Sequence, residues 1–180
     1  MTSALITPDL NPEEQQRVDM IFKGIEAQLG FVPDGMRLFS TSPPLLESFM
    51  INIGYFMVHT RLSQELLASI RYLVSAKENC SFCVSFNAKI LINLGLPFKE
   101  LKGLRENHHN APLPEGEKIL LNIALASIND PKGITKEDID QAKRFDFTER
   151  DVFDVVVMAA SNKAFTHVLR SFNITRQGTL

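Results

Sequence analysis

The chain has 180 residues, enough for one domain with a sizeable core, and 44% of them are hydrophobic, so extensive disorder is not expected. A formal net charge of −2 argues against a surface for nucleic acid or anionic lipid. The N-terminus lacks a secretory signal pattern, and the most apolar run, residues 45–58, is short for a bilayer span and includes Glu47 and Asn52. We expect a soluble cytoplasmic protein without a membrane or nucleic-acid partner.

The first signals of a helix start lie at residues 11–14. Asn11 and Pro12, followed by two glutamates, predict a capped helix that stops at Gly30. Ser42–Pro43 opens a second helix that runs to about Val58.

The next two predicted helices are separated by a short connection. Ser63 caps the first of them, whose apolar residues recur with helical spacing at Leu66, Leu67, Ile70, Leu73 and Val74. Asn79 caps the second, which ends at Gly95.

The remaining segments are also helical in pattern. Two helices are predicted near residues 97–105 and 114–127. Thr135 with Asp138, and Thr148 with Asp151, form capping boxes that open a short helix and a long one reaching about Phe172. No sustained alternation of period two occurs, so the predicted fold class is all-α.

The predicted organisation is a single helical domain covering residues 1–180. It has an N-terminal helical arm at about 10–30, a core with the cysteines at about 31–95 and a C-terminal helical half at about 114–174. Residues 62–86 weakly resemble residues 147–171 in pattern, which suggests a degenerate internal duplication.

Cys80 and Cys83 are the only cysteines in the chain and stand three positions apart. With Asn79 as the cap, Cys80 would occupy the first helical position, where unpaired N–H groups and the helix dipole favour a thiolate. The spacing puts Cys83 on the same helix face, within reach of a disulfide, and Asn87 one turn further. The pattern favours a redox-active dithiol.

Two other interpretations of the cysteine pair remain open. A zinc site would need two further ligands, and the adjacent His108 and His109 do not have the spacing of a zinc-finger histidine pair. The cysteines can also be two small buried residues. We expect no metal and, without a nucleotide or serine-hydrolase motif, no cofactor.

Several segments together resemble the carboxymuconolactone decarboxylase and alkyl hydroperoxidase D superfamily, and most closely its peroxidase-related branch. They are residues 31–46 (FVPDGMRLFSTSPPLL), Leu62–Ser63 with Cys80-x-x-Cys83, and residues 134–149. The resemblance implies a bundle of orthogonally packed helices that assembles into a homodimer, trimer or hexamer. It also implies peroxide reduction by the cysteine pair, with an external dithiol as the reductant.

The hydroperoxidase members have a proton relay that this sequence lacks. Their histidine, four residues after the second cysteine, is replaced by Asn87, and their glutamate, twelve residues before the first, by Ala68. Glu65 and His167 are speculative substitutes as proton partners. Glu78, beside the pair, is expected to face solvent and to raise the thiol pKa by repulsion.

The sequence alone does not decide the role of Asn87 or which of the two sulfurs attacks. The Asn87 amide can donate a hydrogen bond to a thiolate or be satisfied by the backbone. The helix terminus favours attack by Cys80, whereas the family pattern implies that Cys83 attacks and Cys80 resolves the sulfenic acid.

Two functions are consistent with these observations. The first is a thiol–disulfide oxidoreductase of the alkylhydroperoxidase-related type, with peroxiredoxin activity on a small apolar hydroperoxide. The second is a non-enzymatic or redox-sensing oligomeric module. Five phenylalanines are candidates to line an apolar substrate pocket or to pack in the core: Phe39, Phe49, Phe56, Phe82 and Phe86.

Overall fold

The computed structural model describes residues 3–180, and within that range it consists of nine α-helices and one short 3-10 helix, with no strand. The all-α prediction is confirmed. The helices are α1 (Pro12–Leu29), α2 (Asp34–Phe39), α3 (Pro43–Met57), α4 (Gln64–Lys77), α5 (Ser81–Asn93), α6 (Phe98–Glu106), α7 (Glu115–Asn129), α8 (Lys136–Arg144) and α9 (Glu149–Ser171), and the 3-10 helix spans His108–Asn110.

Residue contacts divide the chain into two compact units. One comprises the described residues up to Val58 together with Val168–Leu180, and the other is His59–His167. The second unit contains both cysteines and every other predicted site residue. The single-domain organisation and its internal boundaries stay predictions.

Four predicted helix starts, at Asn11, Ser63, Thr135 and Thr148, are confirmed by the side-chain hydrogen bonds that cap them. Asn11 and Glu14 form a reciprocal capping box at α1, and Thr135 with Asp138 does the same at α8. α1 ends at Gly30, whose φ of 77° lies in the left-handed region that glycine adopts without strain. These signals are local in sequence, which is why they could be read from it.

The short helix α2 was not predicted. It has six residues, too few to show a period, and no side chain caps its start. The buried carboxylate of Asp34 instead accepts hydrogen bonds from the Gln177 side chain and from the backbone N–H of Thr179 and Leu180. α2 therefore depends on contacts with a segment more than 140 positions away in the chain.

The core of the His59–His167 unit is built on α4. Its predicted apolar positions are all buried, and α4 packs against α5 and α7. The Ser63 cap is confirmed, because its Oγ accepts from Leu66 N at 3.0 Å. Glu117 of α7 accepts hydrogen bonds from the backbone N–H and the hydroxyl of Ser63, so α7 fixes the start of α4.

α9 is long and apolar enough, by length and composition alone, to cross a membrane. Its buried acidic groups indicate a core helix instead. Asp151 is paired with Arg61 at 2.9 Å and Asp154 with His59 at 3.2 Å. His59 Nδ1 accepts backbone N–H bonds from Arg61 and Leu62, so the proton on Nε2 is donated to Asp154.

Candidate functional site

The connection between α4 and α5 fixes the position of Cys80 from both sides. Asn79 has a φ of 54°, in the left-handed region that asparagine tolerates, and ends α4. Asn79 N donates to Ala76 O and Cys80 N donates to Ser75 O, each at 3.1 Å, which is the Schellman arrangement. The prediction that Asn79 caps α5 is therefore wrong, because its backbone conformation terminates the preceding helix.

Cys80 itself is the N-cap of α5. Its Sγ accepts from Cys83 N at 3.4 Å, so an unpaired N–H group of the first turn is directed at this sulfur. Negative charge at the start of a helix is favoured by the dipole. The expected helix-terminus environment is present, but Cys80 occupies the N-cap instead of the first helical position.

The two sulfurs are close together and buried. Their Sγ atoms are 2.8 Å apart without a disulfide, and Cys80 and Cys83 are only 2% and 3% exposed. The hydrogen bond with Cys80 raises the pKa of Cys83, and burial and the charge of a Cys80 thiolate raise it further. Cys83 therefore holds its proton more firmly than an ordinary thiol, whereas the start of α5 favours negative charge on Cys80.

A hydrogen-bonded network of amide and hydroxyl groups lies beside the cysteine pair. Asn87 Nδ2 donates to Cys83 O at 2.9 Å and to Ser75 Oγ at 3.4 Å, and Asn162 Nδ2 of α9 donates to the same Ser75 oxygen at 3.1 Å. Of the two roles considered for Asn87, the structure supports hydrogen bonding to the backbone rather than to a sulfur. No member of this network changes protonation state near neutral pH.

The two residues considered as proton partners are exposed, whereas both sulfurs are buried. Ala68 is fully buried, and within the His59–His167 unit neither Glu65 nor His167 is hydrogen-bonded to a cysteine. Glu65 is exposed and lines a cleft of about 190 Å³ whose lining includes neither sulfur. His167 is exposed on α9, directed away from the buried face that its neighbour Thr166 occupies.

Glu78 does not face solvent as predicted. Its side chain is only 19% exposed and pairs with Lys163 of α9, the Oε1 and Nζ atoms being 3.5 Å apart. The ammonium group offsets the negative charge of Glu78, so the repulsion expected from this residue is weakened.

Thr166 is a site residue that the sequence analysis missed. It is fully buried on α9, one turn beyond Asn162, and its hydroxyl acts on Cys83, whose pKa it lowers. A threonine within an apolar helix carries no local signal of function, because its role depends on how α9 packs against α5.

Four of the five candidate phenylalanines form two pairs, one in each unit, and the fifth, Phe56, packs edge-on against Tyr55. Phe39 and Phe49 stack at 5.0 Å between ring centroids in the first unit, and Phe82 and Phe86 stack at 6.3 Å in the second. Only the latter pair lies on the helix that carries Cys83. Across residues 3–180, no three His, Cys, Asp or Glu side chains come together as metal ligands.

Comparison with known proteins identifies the fold. No family model and no curated protein matches the sequence. An uncharacterized peroxidase-related protein from Silicibacter sp. TM1040 is similar in structure, with a TM-score of 0.82 at 21% identity over 95% of this chain and 90% of its own. A peroxidase-related protein with an alkylhydroperoxidase AhpD core from Ralstonia eutropha JMP134 has a TM-score of 0.81 at 19% identity, over 98% and 92%.

A protein with a different activity has a similar structure. A cysteine-to-alanine variant of the debrominase Bmp8, in complex with 2,3,4-tribromopyrrole, has a TM-score of 0.78 at 20% identity over 99% of this chain and 95% of its own. The chain thus has the alkyl hydroperoxidase D-like fold that its sequence motifs implied. At these identities the likeness defines the fold, and the activity must be argued from the site.

Proposed function

We propose that this protein is a thiol–disulfide oxidoreductase that reduces a small hydroperoxide with its Cys80–Cys83 pair. The observation that carries the proposal is the placement of Cys80 as the N-cap of α5 with the Cys83 sulfur 2.8 Å away. This arrangement provides an ionisable nucleophile, a proton donor and a second thiol in one helical turn. The similar structures of two peroxidase-related proteins support it.

The first half-reaction needs no separate relay. The Cys80 thiolate attacks the distal oxygen of the hydroperoxide, the O–O bond breaks, and Cys80 becomes a sulfenic acid. The departing alkoxide takes the proton of Cys83 and leaves as an alcohol. Cys83, now a thiolate, displaces hydroxide from the sulfenic acid and closes the disulfide.

The electron balance defines the second substrate. The two cysteines lose two electrons and the peroxide gains them, so a further dithiol must reduce the Cys80–Cys83 disulfide after every cycle. We infer that this reductant is an external dithiol, that the protein self-associates and that it works in the cytoplasm. The support for these three inferences is the sequence and the resemblance it carries, not the geometry of the site.

A second candidate reaction is reductive removal of a halogen from an aromatic ring. Asn87 and Ala68 replace the peroxidase relay, and the debrominase Bmp8 has a similar structure. The dithiol would again supply two electrons, and the carbon–halogen bond would be replaced by carbon–hydrogen with release of halide. A non-enzymatic redox-sensing module is the remaining alternative.

One experiment separates these functions. The reduced protein is incubated with hydrogen peroxide, an alkyl hydroperoxide or a bromopyrrole, and free thiol, disulfide and product are followed by mass spectrometry, with the Cys80→Ser variant as the control. We expect one disulfide and one alcohol per alkyl hydroperoxide consumed. Halide release without peroxide reduction would assign the second reaction, and thiols that stay reduced in millimolar peroxide would contradict the first.

The redox-module alternative predicts a different result. Its dithiol would oxidise once without turnover in the presence of a reducing dithiol, and oligomer size would differ between the reduced and oxidised protein. Unchanged assembly in both states would remove this alternative.

A further inference from the structure

The hydroxyl of Thr166 is the feature of this site that the proposed chemistry has not used. Thr166 Oγ1 is one of two buried side-chain polar atoms within residues 3–180 that have no hydrogen-bond partner, the other being Asn122 Oδ1. Thr166 is 0% exposed, so bulk solvent does not reach it. A buried hydroxyl without a partner is costly and calls for a physical explanation.

The packing of α9 indicates which group the Thr166 hydroxyl can contact. Asn162, one turn before Thr166, donates to Ser75 Oγ and to Arg71 O, both at 3.1 Å, and Lys163 is paired with Glu78. This face of α9 therefore packs on α4 and on the connection that holds Cys80. Thr166 extends the same face by one turn toward Cys83, and its hydroxyl does not bond back to its own helix.

We propose that Thr166 is a catalytic residue that donates a hydrogen bond to Cys83 whenever this sulfur is a thiolate. Toward the neutral thiol the hydroxyl remains unpaired, because S–H is a weak partner. An anionic sulfur is a much stronger acceptor, so the bond forms when Cys83 ionises. Thr166 lowers the pKa of Cys83, as expected of a group that donates a hydrogen bond to the thiolate.

Thr166 would act at two steps of the proposed cycle, and its part in turnover therefore rests on the proposed function. Cys83 is a thiolate after it has given its proton to the alkoxide and before it closes the disulfide. It is a thiolate again when an external dithiol attacks Cys80, since the S–S bond then breaks with the electron pair on Cys83. In both steps Thr166 stabilises the same charge.

The ionisation of Cys83 tests the inference without any substrate. In a Cys80→Ala background the side-chain hydrogen bond that is the largest cause of the raised Cys83 pKa is removed, so the pKa of this thiol should fall. Thr166→Val keeps the size and shape of the side chain but removes the hydroxyl, whereas Thr166→Ser keeps the hydroxyl. Thiolate absorbance in the ultraviolet is followed against pH for the three proteins.

We expect Thr166→Val to lower the acid dissociation constant of Cys83 by about tenfold or more, the usual effect of one hydrogen bond to a buried charge. Thr166→Ser should titrate within about twofold of the parent, since it retains the donor. Equal titrations of the valine and serine variants would overturn the inference. Circular dichroism establishes that each variant is folded, and Thr166→Ala replaces Thr166→Val if the latter is not.

A kinetic measurement connects the hydroxyl to turnover. With both cysteines present, dithiothreitol should reduce the disulfide about tenfold more slowly in Thr166→Val than in Thr166→Ser. Equal rates would also count against the inference. If the wild type reduces no peroxide while the Cys83 titrations still differ, the proposed function fails and the role of Thr166 in stabilising the thiolate stands.

Discussion

Ser75 on α4 and Asn162 on α9 are joined by a hydrogen bond of 3.1 Å, in which the asparagine amide donates to the serine hydroxyl. Asn87 donates to the same oxygen, and Ser75 O accepts from Cys80 N. Ser75 therefore connects three helices to the backbone of the first cysteine. The dithiol is held by groups that do not titrate.

Removing the α9 member of this network should destabilise the protein. Asn162→Ala loses the bonds to Ser75 Oγ and Arg71 O, and we expect the free energy of unfolding in urea to fall by about 1–3 kcal/mol. Ser161→Ala, one position away and without a side-chain hydrogen bond, is the control and should change it by less than about 0.5 kcal/mol. Equal losses in the two variants would contradict the structural role of Asn162.

The two cysteines should differ in their reaction with peroxide. In Cys83→Ser the Cys80 thiolate remains at the start of α5 but no second thiol can resolve it, so a sulfenic acid should accumulate and be trapped by dimedone. Cys80→Ser should give a trapped adduct at least about tenfold more slowly, because burial raises the pKa of the remaining Cys83 thiol and leaves less thiolate to react. Faster trapping on Cys83 would assign the attack to the second cysteine, as the family pattern implies.

Restoring the relay should raise peroxide reduction. The double variant Ala68→Glu, Asn87→His introduces a carboxylate and an imidazole at the two positions that the sequence resemblance implies for the relay, and under the proposed function general acid–base catalysis should contribute about 10²–10⁴-fold. Asn87→Gln, which adds no titratable group, is the matched control and should show no gain. Ala68 is fully buried, so thermal unfolding must establish that the larger side chain is accommodated.

Asp151 should make stability depend on acid pH. Burial alone would raise the pKa of Asp151, but hydrogen bonds from Thr148 and Arg61 outweigh it and hold the pKa below its ordinary value of 3.8. A carboxylate with a depressed folded-state pKa stabilises the fold above its unfolded-state pKa, and this contribution disappears as the pH falls through the folded-state value.

The measurement compares the wild type with Asp151→Asn. The difference in free energy of unfolding should be largest near neutral pH and shrink below about pH 4. Glu149→Gln is the control, since Glu149 forms a solvent-exposed pair with Lys143 that should contribute little to stability. A difference for Asp151→Asn that is constant with pH would contradict this account.

The parts of the fold that the sequence predicted are those that depend on neighbouring residues. The capping boxes at Asn11 and Thr135 and the apolar positions of α4 are set within a few positions of chain. Asn79 was misassigned because asparagine favours both helix N-caps and left-handed residues at helix ends, and sequence does not distinguish them. Cysteine is not a common N-cap, so the sequence does not indicate Cys80 for that position.

The parts of the site that could not be predicted depend on α9. Thr166, Asn162 and Lys163 reach the cysteine connection only because α9 packs on α4, more than 80 positions earlier in the chain. Glu65 and His167 were plausible by residue type, yet both are exposed, and residue type does not reveal which face of a helix is buried. The cysteine spacing alone directed attention to the connection between α4 and α5 as the candidate site.

Cys80 is at once the last residue of the motif that ends α4 and the residue that begins α5, and serine, threonine, asparagine or aspartate would begin that helix equally well. An evolutionary lineage that abandoned the redox reaction could therefore exchange this single sulfur for an oxygen without disturbing either helix. Loss of catalysis would then leave an intact scaffold, so a shared architecture among such proteins is weak evidence for a shared reaction.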